Sequence, residues 1–541
     1  MRNILFVIVF SFYTTSALCV GYIFRIELKD KGNPPYTIEN PSEYLSEKSI
    51  ERRLRQGLSV DETDLPIDPL YLDAIKATGA SIKAVSKWVK TVTVYLPDNS
   101  AVPALNSLSF VNDVYCVWKG NLPQSNILIL EQDECEIYDS QNSSLKLGRE
   151  VYGSGYEQIN MLNADMLHEA GFKGEGMSIA ILDVGFFDSD KVTFFNQERI
   201  KEVKNFTHEQ GNPLRIGAHG TYVLSCMLSN TQGRMVGTAP EADYYLFKTE
   251  VDSEEFLVEE DYWVAALEYA DSIGVDVVNT SLGYFAVFDD PTMNHTVGQL
   301  DGYTVPASRA ASMAGNKGML LFNAAGNEGN NFSWKKICVP GDADNIITVG
   351  AVNYLSSIIA AFSSRGPTAD GRVKPDLCAV GESAALVNPV SGIFRSHGTS
   401  FASPVLAGAG ACLWQAMPHK SSKEMIAIMK SVGDRYTTPD NSYGYGIPDL
   451  GKAYTDNAVN NVTTTSKLDF LLFFDTMTNC LHLRNADNEK TDLQIFNSQG
   501  QLLARYNNIT TAVDVSNLNH GIYIARIKQG EKQVVQKFIK W

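Results

Sequence analysis

The sequence predicts an α/β protein: a doubly wound, mostly parallel sheet at the centre, a small α+β unit before it and an all-β sandwich after it. Three observations carry that reading. Between Met177 and Val352, short β-branched apolar runs alternate with helical stretches, the pattern of a parallel sheet covered by helices. Ahead of them, strand-like and helical segments follow one another without that rhythm. Beyond about Tyr454 only strand-like runs remain, separated by turn residues. A chain of 541 residues has room for about three domains, and its 44% hydrophobic content supplies their cores.

Arg2 precedes the apolar run ILFVIVFSF, and small residues follow between Ala17 and Cys19. A charged start, a short apolar centre and a small-residue end describe an export signal over 1–19, not an anchor. The next unit, 20–148, opens on the strand YIFRIEL and a charged helix, PSEYLSEKSIERRLRQG, closed by Gly57. A second helix, PLYLDAIKATG, and the alternating strand KTVTVYL complete it. The polar stretch DSQNSSLKLGREVYGSGYEQ marks a boundary. The central domain, 150–456, holds the buried strands MSIAIL, VDVVNT, GMLLFNAA and NIITVGAV, with helices EDYWVAALEYADSIG and VPASRAASMAGNKG between them. Such sheets place their sites beyond the carboxyl ends of the strands. A polar linker, 457–466, leads into the sandwich, 467–541. Its runs LDFLLFF, DLQIFNSQGQLLARY, TAVDVS and GIYIARIKQGEKQVVQKFI are broken at turns such as Ser498-Gln499-Gly500 and Gln529-Gly530-Glu531.

Charge narrows the function. With 45 basic and 62 acidic side chains the net charge is −17, which argues against nucleic acid as a main partner. No segment after the signal reaches about 18 uninterrupted apolar residues, so the mature protein is expected to be soluble, with no transmembrane segment. Eight cysteines fall to seven once the leader through Cys19 is lost, an odd number that makes no disulfide framework. Cys226 and Cys412 lie in apolar helical patterns and read as buried thiols.

The chemistry concentrates in the central domain. MSIAILDVGF drives a buried strand into Asp183, GAHGTYVLSCML opens a helix with His219, and Ser400 begins SFASPVLAGAGACLW, a helix apolar on nearly every face. Each residue alone has an ordinary structural use: a turn cap, a packed histidine, a helix start. Together they supply a nucleophile, a base and an orienting carboxylate. A serine hydroxyl is a poor nucleophile near neutral pH, and an imidazole of pKa about 6.5 suits the role of base. A helix N-terminus adds backbone N–H groups that favour developing negative charge. The turn AAGNEG carries Asn327, whose amide could complete an oxyanion hole with the Ser400 N–H.

Asp183 in ILDVG, His219 in AHGTYV, Asn327 in AAGNEG and Ser400 in HGTSFASP resemble the subtilisin-like serine proteases, the subtilases. The likeness covers roughly 150–455 and includes Ser281, Leu282 and Gly283 after VDVVNT, which match the family's substrate-lining strand, and the segments FSSRGPT and VKPDL. It implies a secreted serine endopeptidase with catalytic Asp183, His219 and Ser400, oxyanion donor Asn327, protein or peptide substrates and no cofactor for the chemistry. Three positions depart from the family pattern. Val184 stands where a Ser or Thr is usual, Tyr222 replaces a second histidine, and CAVGES follows VKPDL in place of a Pro-Gly turn.

The flanking units fit the same reading. The unit 20–148 resembles a subtilase propeptide, which folds the protease, plugs its cleft and is then removed. The end of the chain, through GIYIARI and the spaced Lys528, Lys532, Lys537 and Lys540, resembles the C-terminal sorting domains of Bacteroidetes proteins exported by the type nine secretion machinery. The implied location is outside the cell or on its surface. In the loop YFAVFDDPTMNHTVGQLDGYTV, Asp289, Asp290 and Asp301 could hold a structural calcium, although their spacing also suits a solvated acidic loop. Two alternatives stay open. One is the sedolisin type with an acidic base, against which His219 counts. The other is an inactive, surface-displayed binding protein that keeps only the scaffold.

Overall fold

A computed structural model describes residues 21–120, 148–458, 470–475, 480–485, 491–497, 501–509, 512–519, 521–529 and 532–540. The export signal 1–19, the polar stretch up to 147, the linker from 459, and the turn residues Ser498–Gly500 and Gly530–Glu531 lie outside the described residues. The chain divides into two units, Met1–Tyr454 and Thr455–Trp541.

The first unit starts with strand β1, Gly21–Leu28, followed by helices α1, Glu47–Arg55, and α2, Pro69–Ala77. Strands β2, Ser81–Ser86, β3, Thr91–Leu96, and β4, Val111–Gly120, complete an antiparallel sheet in the order β2-β3-β1-β4. The charged helix is shorter than the sequence predicts. Pro41–Glu43 forms a separate 3-10 turn, and α1 starts after Ser46, whose extended backbone lets its hydroxyl accept from Ser49 N at 3.2 Å. Its amphipathicity is inverted: Leu54 is 71% exposed, whereas Arg52 and Arg53 are each 1% exposed.

A seven-stranded parallel sheet follows: β5, Ser178–Asp183; β6, Ile200–Asn205; β7, Asp243–Lys248; β8, Val277–Thr280; β9, Leu320–Ala324; β10, Ile347–Asn353; and β11, Leu377–Glu382. Their spatial order is β11-β10-β9-β8-β5-β7-β6, so the chain leaves β5 toward both edges and a crevice opens at the carboxyl ends of β5, β8 and β9. The sequence-predicted strands are all present; β6, β7 and β11 are additions. One face packs on α3, His219–Leu228, and α6, Thr399–Ala416, and the other on α4, Val258–Ile273, and α5, Pro306–Asn316. The second part of the predicted boundary stretch is helical instead, as Arg149–Tyr152 and Tyr156–Asn160, because Tyr152 and Ile159 are buried in this core.

The α+β sheet and α1 dock on α4 through buried charge. Arg53 Nη2 donates to Asp64 and to Asp271, both at 2.8 Å, and Arg52 also binds Asp271. Arg25 Nε donates to Asp261 Oδ1 at 2.7 Å, and Lys317 Nζ to Asp64 Oδ2 at 2.7 Å. At the end of β4, Trp118 Nε1 donates to Glu254 and Lys119 Nζ to Asp290, each at 2.7 Å.

The second unit holds two antiparallel sheets. Strands β12, Phe470–Asp475, β13, Cys480–Asn485, and β16, Ala512–Asp514, form one; β14, Thr491–Asn497, β15, Leu502–Ile509, β17, Gly521–Gln529, and β18, Lys532–Lys540, form the other. Lys540, the last of the spaced lysines, is buried. Its ammonium donates to the carbonyls of Val515, Ser516 and Leu518 at 2.7, 3.0 and 2.7 Å. The described cysteines are free thiols, and Cys226, Cys338, Cys378 and Cys412 are buried.

Candidate active site

Asp183 is the last residue of β5, where the sheet's buried strand runs into the crevice; it is 2% exposed. The turn after it meets the first turn of α3, with Gly220 N donating to Gly185 O at 3.0 Å. A side chain at residue 220 would strike that carbonyl and, at 2.7 Å, the Phe186 ring, so glycine permits the approach. The approach brings His219 Nδ1 to 2.8 Å from Asp183 Oδ1. The same oxygen accepts from Val184 N at 2.9 Å, and Asp183 Oδ2 is buried without a partner among the described residues. The Asp183 carboxyl oxygen thus lies against Nδ1 of the ring, the contact that orients an imidazole.

Ser400 stands in the first turn of α6, half-buried, its Oγ donating to Ser281 O at 3.0 Å. Ser281 Oγ donates back to Ser400 O at 2.7 Å. Ser281, Leu282 and Gly283 continue from β8, and Tyr284 pairs through its backbone with Val339. The Asn327 turn follows β9. Its Oδ1 accepts from Thr399 N and Thr399 Oγ1, both at 2.9 Å, and Thr399 Oγ1 accepts from Gly326 N at 3.2 Å. Because a backbone N–H must meet an oxygen, the carboxamide orientation is fixed and Nδ2 is its opposite, donating end. Gly326, at φ +102°, makes the turn possible; a Cβ there would sit 2.5 Å from Cys338 Sγ. The crevice therefore gathers a carboxylate–imidazole pair, a serine at a helix N-terminus and an amide aimed by Thr399.

A sequence model of the subtilase family matches residues 174–446, half of the chain. The chain belongs to the subtilase family. A model of the peptidase S8 propeptide domain of Bacteroidota matches residues 24–128 of this subtilase, and a secretion system C-terminal sorting domain matches 477–541. The subtilase is 28% identical over 329 residues to Subtilisin-like protease SBT6.1 of Arabidopsis thaliana, covering 58% of this chain and 29% of that protein. It is 29% identical over 304 residues to Serine protease AprX of Bacillus subtilis (strain 168), covering 50% and 65%. To Subtilisin E of the same bacterium it is 28% identical over 293 residues, covering 53% and 68%. The chain thus spans 29% and 65% of the first two of these relatives.

Two of the three departures from the family pattern have structural uses. At Val184 only the backbone carbonyl is engaged, accepting from the buried Lys248 ammonium at 2.7 Å, and nothing in the structure explains its side chain. Tyr222 OH accepts from Asn388 Nδ2 at 2.9 Å, and its ring meets Phe394 edge-on with centroids 4.9 Å apart. The CAVGES segment supplies β11.

Sequence reasoning missed Thr399 and an acidic cavity of about 440 Å³ lined by Val184, Glu250, Glu255, Glu259, Leu282 and Tyr284, among others. Burial, with the neighbouring Glu255, pushes the Glu250 carboxyl up to about 8. Burial and Asp289 push Glu255 up to about 7, and burial with Glu250 holds Glu259 well above the usual carboxylate range. The acid-rich run TEVDSEEFLVEED was the available signal. The three aspartates considered for calcium each accept from other groups: Asp289 from the distant Glu255 N, Asp290 from Thr292 N and Lys119, and Asp301 from Tyr303 N and Thr304 N. Among the described residues, no group of three or more His, Cys, Asp or Glu side chains is arranged to hold a metal ion, and no helix is long and apolar enough to cross a membrane.

Proposed function

We propose that this subtilase is the precursor of an exported serine endopeptidase that cleaves proteins or peptides through Asp183, His219 and Ser400. The observation that carries the reading is the 2.8 Å bond from His219 to Asp183 beside a serine-bearing helix N-terminus at the carboxyl edge of the sheet. Ser400 Oγ attacks the scissile carbonyl and its proton passes to His219 Nε2. Asp183, bonded at Nδ1, holds the tautomer and stabilises the imidazolium. Asn327 Nδ2 and the Ser400 N–H bind the oxyanion. His219 then protonates the leaving amine, and water repeats the sequence on the acyl-enzyme. No cofactor is needed for these steps.

The segment 20–148 acts as the intramolecular inhibitor and the tail as an address for type nine export, which delivers the enzyme to the medium or the cell surface. A fluorophosphonate probe tests the chemistry: it should label Ser400 in the wild type and nothing in Ser400→Ala. An unlabelled wild type would mean a scaffold without a nucleophile. Asn327→Ala should lower kcat by about 2.7–4 kcal/mol in barrier terms, the scale known from a subtilisin, with KM little changed.

A further inference from the structure

The helix that bears Ser400 contains a proline that its other roles leave unexplained. Pro404 lies inside α6, four residues after Ser400. In a regular helix the N–H of residue 404 would bond to the carbonyl of residue 400. Proline has no N–H, and its ring crowds the carbonyl four residues back. The Ser400 carbonyl is thereby released from the helix, and it is the group that accepts from Ser281 Oγ at 2.7 Å.

Ser281 has one hydroxyl proton and has given it to Ser400 O, so its oxygen can only accept there. It accepts from Asn279 Nδ2 at 3.0 Å, and Asn279 Oδ1 accepts from Ser403 Oγ at 2.7 Å. Ser403 is on α6, one turn beyond Ser400, and Asn279 is on β8. The bonds form a closed circuit, helix to strand and back to helix. Asn279 and Ser403 are fully buried and Ser281 is 4% exposed. Buried polar networks in which every member is satisfied hold a single geometry firmly.

We propose that Ser403, Asn279 and Ser281 are positioning residues that fix Ser400 against the substrate-lining strand, with Pro404 freeing the carbonyl they hold. The proposal rests on Ser400 being the nucleophile. Misplacement of a nucleophile by a fraction of an ångström slows attack without weakening substrate binding.

The test uses protein made as the full chain and then matured: wild type, Ser403→Ala and Pro404→Ala. It measures kcat and KM on one peptide substrate, the rate of fluorophosphonate inactivation, and the melting temperature. Ser403→Ala should lose about tenfold in both kcat and inactivation rate, with KM within about twofold. Pro404→Ala, which restores a competing N–H, should slow both rates in the same direction without a matching loss of melting temperature. If Ser403→Ala fails to fold, Asn279→Asp keeps the acceptor for Ser403 and removes the amide donor to Ser281, and the same kcat loss is expected. Wild type labelled at Ser400 with unchanged rates in the folded variants would overturn the relay alone. An unlabelled wild type would overturn the nucleophile reading and the relay with it.

Discussion

Two acidic regions of the peptidase domain meet opposite treatment. Along α4, the carboxylates of Asp261 and Asp271 are buried against arginines supplied by the N-terminal unit. At the crevice, Glu250, Glu255 and Glu259 are gathered round a cavity where burial outweighs the help they get. Burial pushes Asp271 up as well, but Arg52 and Arg53 pull harder and leave it below its usual range. Asp261 shows the balance between: burial lifts it, and Arg25 recovers only part of the shift. The difference teaches that the N-terminal unit is bound by completing charges the peptidase cannot satisfy alone, while at the crevice burial lifts the carboxyls above their usual range.

The interface side of the comparison carries the largest expected effect. Asp271→Ala removes the carboxylate partner of the buried Arg52 and one of the two held by Arg53, which keeps Asp64, and should cost the full-length Ser400→Ala protein about 3–5 kcal/mol in urea unfolding. A loss below about 1 kcal/mol would show that the interface does not depend on this pairing. Because the Asp271 carboxyl sits below its usual range, its contribution holds at neutral pH and fades only as acid protonates it.

The cavity should respond to pH in the reverse sense. Glu250 has a folded value of about 8, above its unfolded value, so the native state binds extra proton between the two. Its stabilising share is complete below the unfolded value and is lost as pH rises through about 8. Melting temperature should therefore fall between weakly acid and weakly alkaline buffer, and Glu250→Gln should flatten that slope. An unchanged slope would mean that the cavity carboxyls are solvated. The smallest effect belongs to the rim: Lys119→Ala removes an exposed partner of Asp290 and should leave the unfolding midpoint nearly unmoved.

Much of the crevice was legible in the chain because its residues sit where strict local patterns break. Asp183 ends a run of apolar residues, His219 precedes a glycine at a helix start, and Ser400 stands two residues after one. The buried strands were equally plain, being short, β-branched and bounded by turns. Strand β6 was not, since IKEVKN lies at the sheet edge and mixes charge with apolar residues. The docking face was hidden for another reason. Arg53 and Asp271 are 218 positions apart, and a buried arginine on a helix whose leucine points outward inverts the rule by which faces are read. The cavity glutamates likewise converge only when the segment after β7 folds beside residues 282–284. The spacing of the tail lysines gives no hint that Lys540 closes a loop of its own domain.

The buried thiols set the chain's tolerance of oxidants. Burial raises the ionisation point of Cys226, Cys338, Cys378 and Cys412 far above neutrality. Oxidation and disulfide exchange proceed through the thiolate and need access to it. In the folded molecule these four thiols are shielded from disulfide exchange and from peroxide, whereas Cys116 and Cys480 are only partly buried. For these four side chains the window for oxidation is the interval before folding encloses them.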